Sequence, residues 1–128
     1  MKPIALFLTA LVAVEHLVFL VLEMFFWTSP AALRAFNTTP EFAAATAAMA
    51  ANQGLYNGFL AAGLLWGMKI DSGRVKLFFL TCVIVAGVFG AVTVKASIVF
   101  VQALPALAAA VCVLLDHRAR ADANAQRT

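Results

Sequence analysis

An apolar run near the N-terminus, residues 3–27, constrains the fold of this chain most. Its ionisable side chains are Glu15, His16 and Glu23. A helix over this run would be ~37 Å long, enough to cross the ~30 Å hydrocarbon core of a bilayer. The run is too long for a typical signal-peptide core, and no clear small-residue cleavage site follows it. We therefore interpret it as a retained membrane-spanning helix.

The composition indicates the same environment for the whole chain. Hydrophobic residues make up 64% of it and charged residues 12%, about half of the ~25% that soluble domains carry. A soluble domain of this size buries only about two-thirds of its surface, which could not hide so many apolar side chains. The net charge is +3, but the basic residues lie at the ends of apolar runs. We expect membrane lipids as partners and no nucleic acid.

Four helical runs predict an all-α fold, a four-helix transmembrane bundle in a single domain over residues 1–115. Ser29 before Pro30 is typical of a helix start, so we expect a short interfacial helix over residues 31–36, between helices one and two. Pro105 predicts a kink in helix four. The four predicted membrane helices and the polar, disordered tail that we expect after them cover residues 3–27, 40–68, 75–94, 98–115 and 116–128.

The basic residues also predict the orientation of the bundle. With four crossings, the two termini and the middle loop share one side of the membrane. Basic residues are enriched on the cytoplasmic side, so the side with more of them should be inside the cell. We therefore expect the chain in the cell membrane with cytoplasmic termini, because seven basic residues lie on that side and two on the other: Lys2, Lys69, Arg74, Lys76, Arg118, Arg120 and Arg127 against Arg34 and Lys95.

Polar side chains on three of these helices should lie at similar depths. Counting from the cytoplasmic helix ends at 1.5 Å per residue, they fall ~18–24 Å into the bilayer. An ionisable group costs about 2.5–3.5 kcal/mol at a helix centre, so such residues usually face the bundle interior and have partners. We therefore predict a buried polar belt that serves as the candidate binding site: Glu15, His16, Gln53, Tyr56, Asn57 and Gln102.

A second polar layer is expected nearer the outer boundary. Glu23, Asn52 and Lys95 fall ~26–30 Å from the cytoplasmic ends, and Glu23 could form an ion pair with Lys95. Small residues repeat at intervals of four along helix two, at Gly54, Gly58 and Ala62. Such a row allows close packing of membrane helices.

Several segments resemble a known family. They are Val14-Glu15-His16, Leu22-Glu23-Met24-Phe25-Phe26-Trp27, Asn52-Gln53-Gly54-Leu55-Tyr56-Asn57-Gly58, Val94-Lys95 and Phe100-Val101-Gln102-Ala103-Leu104-Pro105. Together they resemble the small integral membrane proteins called domain of unknown function 1304. The resemblance covers nearly the whole chain except the C-terminal tail. It implies a membrane fold and the positions of the motif residues, and it implies no activity.

Transport or binding of a small molecule is the function that these residues favour. Glu15, alone or with His16, would bind a cation or exchange it for protons, since histidine titrates near neutral pH. Four helices are too few to enclose a wide path, so transport would require a homodimer.

Two alternatives stay open. In a membrane-embedded enzyme acting on a lipid-like substrate, Glu15 and His16 would act as acid and base, with Tyr56, Asn57 and Gln102 orienting the substrate. In a structural or accessory protein, the polar belt would bond neighbouring helices. We expect no cofactor and no metal. A site of Glu15, His16 and Glu23 would lack a second histidine, and Cys82 and Cys112 lack ligand spacing.

Overall fold

The computed structural model describes residues 3–126 of the chain. Lys2 and Arg127, which entered the count of basic residues, lie outside this range. The described residues confirm the all-α fold. They form five α-helices and one π-helical segment, which precedes the last helix: α1 (Pro3–Phe25), α2 (Pro30–Phe36), α3 (Pro40–Lys69), α4 (Gly73–Thr93), the π-helical segment (Val99–Ala103) and α5 (Leu104–Ala125).

Capping residues explain where the helices begin and end. The Ser29 hydroxyl accepts a hydrogen bond from the Ala32 amide at 3.2 Å, which fixes the start of α2. Asn37 ends this helix in the left-handed conformation, with φ of 52°. At the start of α4, the Ser72 hydroxyl accepts from the Val75 amide at 3.4 Å. The predicted short helix between α1 and α3 is therefore confirmed, while its interfacial position stays a prediction.

The last helix runs further than expected. Residues 116–125 were expected to be a disordered tail, and this is wrong because α5 continues to Ala125. The physical reason lies in two ion pairs. Arg120 Nε lies 3.3 Å from Asp116 Oδ2, one helical turn earlier, and Arg120 Nη1 lies 2.7 Å from Asp71 Oδ2 in the loop before α4. These contacts hold the first turns beyond the apolar part of the helix.

A π-helical segment lies directly before Pro105, where a kink is expected, and the kink itself stays a prediction. Proline has no amide hydrogen, so a regular helix would leave the carbonyl four residues earlier without its donor. The Leu104 amide donates to the carbonyl of Val99, five residues earlier, which is the π-helical pattern. The wider turn thus absorbs the irregularity just before the proline.

The described residues divide into two compact units. Unit 1 comprises residues 3–13 and 62–126, and unit 2 comprises Val14–Ala61. In unit 1, α4 and α5 pack in antiparallel directions, since Gly87 approaches Ala103 and Gly73 approaches His117. The buried residues of this pair recur at intervals of three or four: Lys76, Leu80, Val83 and Gly87 on α4, and Ala106, Ala109, Val113 and Asp116 on α5.

Three helical stretches of the described chain are long and apolar enough to cross a membrane: Pro3–Phe25, Gly73–Thr93 and Val99–Ala125. The fourth predicted crossing, α3, has 30 residues but is not among them. Its length suffices, and its hydropathy is lowered by the central amides Asn52, Gln53 and Asn57. The structure therefore supports three candidate spans, and a crossing by α3 stays a prediction.

Replacing Gly90 by alanine is expected to raise the free energy of unfolding by about 0.5–1 kcal/mol, because glycine is a poor helix former. A Cβ atom at Gly90 would meet Ile98 at 3.4–3.5 Å, close to an ordinary carbon–carbon contact. Unfolding in mixed micelles with increasing SDS measures the change. Gly87→Ala is the matched control and should destabilise, because its Cβ would lie 3.0 Å from the backbone nitrogen of Ala103. Destabilisation by Gly90→Ala would contradict this packing.

Candidate functional site

One face of α1 carries buried residues along its whole length, and polar side chains lie within it. His16 is 0% exposed and Glu23 is 8% exposed. They are seven residues apart, and two helical turns bring them to nearly the same face. Apolar and small residues occupy the other positions of this buried stripe: Ala5, Val12 and Ala13, with Thr9 between them. The stripe thus places one imidazole and one carboxyl group inside the protein.

The carboxyl group of Glu23 is held by an amide from α3. Asn57 Nδ2 donates a hydrogen bond to Glu23 Oε2 at 2.7 Å, a length typical of bonds to a charged acceptor. A carboxyl group can accept this bond whether it is ionised or protonated. The contact therefore orients Glu23 without fixing its charge.

Two glycines of α3 let the helices of unit 2 approach closely at this point. A Cβ atom on Gly54 would lie 2.6 Å from Met24 Cγ and 3.1 Å from both Glu23 Cβ and the Leu20 carbonyl oxygen. A Cβ atom on Gly58 would meet the Leu20 side chain at 2.6 Å. The predicted small-residue row is therefore confirmed at these two glycines as a close packing surface against α1.

An aromatic chain connects His16 to the short helix α2. The ring centroids of His16 and Phe19 are 5.8 Å apart, and those of Phe19 and Phe36 are 6.3 Å apart. Phe36 also packs edge-on against Trp27 at 4.9 Å. The indole of Trp27 in turn donates to the Thr46 hydroxyl at 3.2 Å. Trp27 thus joins the end of α1 to α3.

Other members of the predicted belt occupy different surroundings. Glu15 is partly exposed beside the buried stripe. Gln53 and Tyr56 are exposed, and so is Asn52 of the outer layer. The predicted burial is wrong for Gln53 and Tyr56, because they lie on the sides of α3 that turn away from Gly54 and Ala61. The Tyr56 ring packs edge-on against Phe59, with centroids 6.1 Å apart.

Gln102 and Lys95 lie in unit 1. Gln102 Nε2 donates to the Val83 carbonyl at 3.3 Å, which ties the π-helical segment to α4. Lys95 is exposed between α4 and the π-helical segment. The convergence of Gln102 on the belt and the pairing of Lys95 with Glu23 both stay predictions.

A charged network in unit 1 escaped the sequence prediction. Lys76 is 2% exposed, and its Nζ lies 3.1 Å from Asp71 Oδ1. Asp71 bridges to Arg120, which bridges to the buried Asp116. These residues line a cavity of about 30 Å³ together with Gly73, Val113 and His117. The four-residue spacing of Asp116 and Arg120 was the available signal, but only the antiparallel packing of α4 and α5 brings the network together.

Within residues 3–126, no three histidine, cysteine, aspartate or glutamate side chains form a group that could hold a metal ion. A carboxyl group in apolar surroundings gains or loses a proton and attracts a cation. His16 adds a second titratable group on the same helix face.

The chain is similar to a protein of Lactococcus lactis subsp. lactis (strain IL1403) described as "Uncharacterized protein YpaA". The two are 27% identical over 106 residues, which cover 80% of this chain and 89% of the relative. No solved structure matches the chain. The model of the family described as "Protein of unknown function (DUF1304)" matches residues 10–114, a range that contains the buried stripe of α1 from Val12 to Glu23, the Glu23–Asn57 pair and Lys76. The chain therefore belongs to the DUF1304 family.

Proposed function

We propose that this chain is an integral protein of the cell membrane that crosses the bilayer four times, with both termini in the cytoplasm. Three stretches are apolar enough to cross, and α3 is the fourth. Its 30 residues reach ~45 Å, more than a ~30 Å apolar core. The excess of basic residues on the side of the termini and the α3–α4 loop supports this orientation. The short α2 would then lie at the outer interface.

Within this protein, we propose that the Glu23–Asn57 pair is a binding site for a proton or a small organic cation. The observation that carries the proposal is a carboxyl group, 8% exposed, held by one amide at 2.7 Å on a helix fit to cross the membrane. Burial of an ionisable group there has a cost that packing alone does not require. A proton or a cation neutralises the group, and Asn57 orients it in either state.

Proton exchange would couple binding to pH. A cation and a proton compete for the same carboxylate, so the apparent affinity for the cation should rise with pH. When one proton is displaced, the slope approaches about tenfold per pH unit. Glu15, partly exposed beside the buried stripe, is the second carboxyl group that could take part. Exchange of this kind is the elementary step of proton-coupled transport.

A structural role is the second candidate, and the same hydrogen bond favours it. Polar bonds between membrane helices contribute about 0.6 kcal/mol on average. In that case the charge of Glu23 would be dispensable, and an amide in its place would bond Asn57 equally well. The two functions therefore differ in what they demand of residue 23.

Glu23→Gln separates the two functions. In purified protein, binding of tetraphenylphosphonium, a lipophilic cation, is measured by equilibrium dialysis between pH 5 and pH 9. We expect wild-type affinity to rise with pH and Glu23→Gln to lose both the affinity and the slope, while its unfolding midpoint stays close to wild type. Glu41→Gln, an exposed carboxylate at the start of α3, is the matched control and should behave as wild type.

Two other outcomes would contradict the proposed binding at Glu23. If Glu23→Gln keeps the pH-dependent binding, the cation does not use this carboxyl group, and Glu15→Gln then tests the neighbouring one. If neither substitution alters binding, or if wild type binds no cation at any pH, the binding proposal is wrong and the structural role is favoured.

A further inference from the structure

One side of α3 is polar and uncovered in its central turns. Asn52 and Tyr56 are exposed and lie one helical turn apart. At 100° per residue, Asn52 points directly away from the side of α3 that the chain covers. The residues on that covered side are Ala43, Ala50, Gly54 and Ala61. Asn52 and Tyr56, with Ala45 and Ala48 in the preceding turns, are here named the outer face of α3.

In the four-crossing arrangement, part of this face lies within the bilayer. Counted back from Lys69, the last residue of α3, at 1.5 Å per residue, Tyr56 lies ~20 Å and Asn52 ~26 Å into a ~30 Å apolar core. Lipid tails offer no hydrogen-bond partner to an amide or a hydroxyl group. Polar side chains at such depths bond to a neighbouring helix. A further helix is therefore needed against the outer face.

We propose that this helix is α3 of a second copy, so that the chain forms a parallel homodimer through the outer face of α3. The inference rests on the proposed crossing of α3. A two-fold axis along the membrane normal places each residue near its own counterpart. Asparagine suits that position, because its amide carries both a donor and an acceptor and two copies of Asn52 satisfy each other.

Two further features of α3 fit a second copy. Between Glu41 and Lys69 the helix has no charged residue, so two copies side by side bring no like charges together within the apolar core. Ala45 and Ala48 carry small side chains on the same face as Asn52. Small residues allow two helix backbones to approach closely.

Disulfide cross-linking in native membranes tests this contact. Cys82 and Cys112 are first replaced by alanine. Single Ala45→Cys and Ala48→Cys variants are then oxidised and run on non-reducing gels. A disulfide requires Cα atoms about 4.4–6.8 Å apart, so we expect a strong dimer band for these two. Ala47→Cys is the matched control: Ala47 is also exposed, but it lies on the side of Ala43 and Ala50, and it should remain monomeric.

Asn52 is tested in the Ala48→Cys background. Asn52→Leu should reduce the dimer band to the level of Ala47→Cys, and Asn52→Gln should restore it, because glutamine keeps an amide at this position. Equal cross-linking of all three cysteine positions, cross-linking of none, or cross-links only to other proteins would each overturn the homodimer. An unchanged dimer band in Asn52→Leu would overturn the role of the amide pair.

A separate labelling experiment tests whether α3 crosses the membrane, independently of whether the chain forms a dimer. Glu41→Cys and Ile70→Cys, at the two ends of α3, are labelled with a membrane-impermeant maleimide in intact and in permeabilised cells. If the two ends label on opposite sides and no specific cross-link forms, the homodimer alone is wrong. If both ends label on one side, the crossing of α3 is wrong whatever the cross-linking shows.

Discussion

Replacing Gly54 by leucine is expected to lower the free energy of unfolding by about 3 kcal/mol, because overpacking of a close helix contact is costly. Even the first added carbon would lie 3.1 Å from the backbone oxygen of Leu20 and 2.6 Å from Met24 Cγ. A backbone atom cannot rotate away, so the helices must separate. This separation would break the Asn57–Glu23 hydrogen bond. SDS-induced unfolding in a Trp66→Phe background, followed by the fluorescence of Trp27 in unit 2, measures the loss.

Alanine at the two neighbouring glycines provides the matched comparison. Gly58→Ala should change the free energy of unfolding by less than about 1 kcal/mol, because its Cβ meets only the Leu20 side chain, whose terminal methyl group can rotate. Gly54→Ala should cost more than Gly58→Ala, and it should weaken the proposed cation binding at Glu23 as well. Equal tolerance at the two positions would contradict the close approach of α1 and α3 at Gly54.

The helix ends could be predicted from the sequence because their signals are local. Ser29 before Pro30 and Asn37 at the end of α2 act within one turn of their own helix. No partner from a distant part of the chain is needed to set them. The end of α5 could not be predicted in this way, because its extension depends on a contact of Arg120 with Asp71, which lies far away in the sequence.

The candidate site was predicted in part. Glu23 and Asn57 were both singled out but were assigned to different depths, ~12 Å apart. The structure joins them at 2.7 Å. Depth counted from helix ends treats those ends as level, and it ignores the reach of a glutamate side chain along the helix. The residue types pointed to the site. The spacing of polar residues within each helix did not indicate how α1 is aligned along α3.

The side of α3 that packs against the rest of the chain could not be predicted from its sequence. Asn52 and Tyr56 form one polar row and Gln53 and Asn57 a second. Nothing in the spacing indicates which row the chain covers. Asn57 is half-buried against Glu23, while the other three are exposed. The covered side of α3 is set by packing, because Gly54 and Gly58 lie where α1 approaches.

The charged network between α4 and α5 in unit 1 could not be predicted from the sequence either. Lys76 was counted as a basic residue of the α3–α4 loop, and Asp116 was placed in a polar tail. Both are buried, at the ends of the two buried stripes of α4 and α5. Burial follows from the antiparallel packing of these helices, which a single sequence does not reveal. Charge counting predicted a side of the membrane for these residues and missed the contact.

Removing the carboxylate of Asp71 is expected to have the second large effect, a loss of about 2–3 kcal/mol in the free energy of unfolding for Asp71→Ala. The Lys76 ammonium group is 2% exposed and would lose its 3.1 Å contact with Asp71. A buried charge that loses a partner retains its desolvation cost. Asp71 itself is 46% exposed, so the effect should fall below that of a fully buried pair. SDS unfolding in a Trp27→Phe background, followed by the fluorescence of Trp66 in unit 1, measures it.

Two controls separate the buried contact from the exposed one. Arg120→Ala removes the exposed pair with Asp71, whose members are 45% and 46% exposed, and exposed pairs contribute at most about 1 kcal/mol. It also removes the contact of Arg120 with Asp116, whose side chain is 12% exposed, so its cost is an upper bound on that of the exposed pair. Lys76→Met in the Asp71→Ala background removes the buried charge and should recover most of the lost stability, since methionine fills a similar volume. If the double variant is no more stable than Asp71→Ala, the burial of Lys76 is not what makes Asp71 necessary.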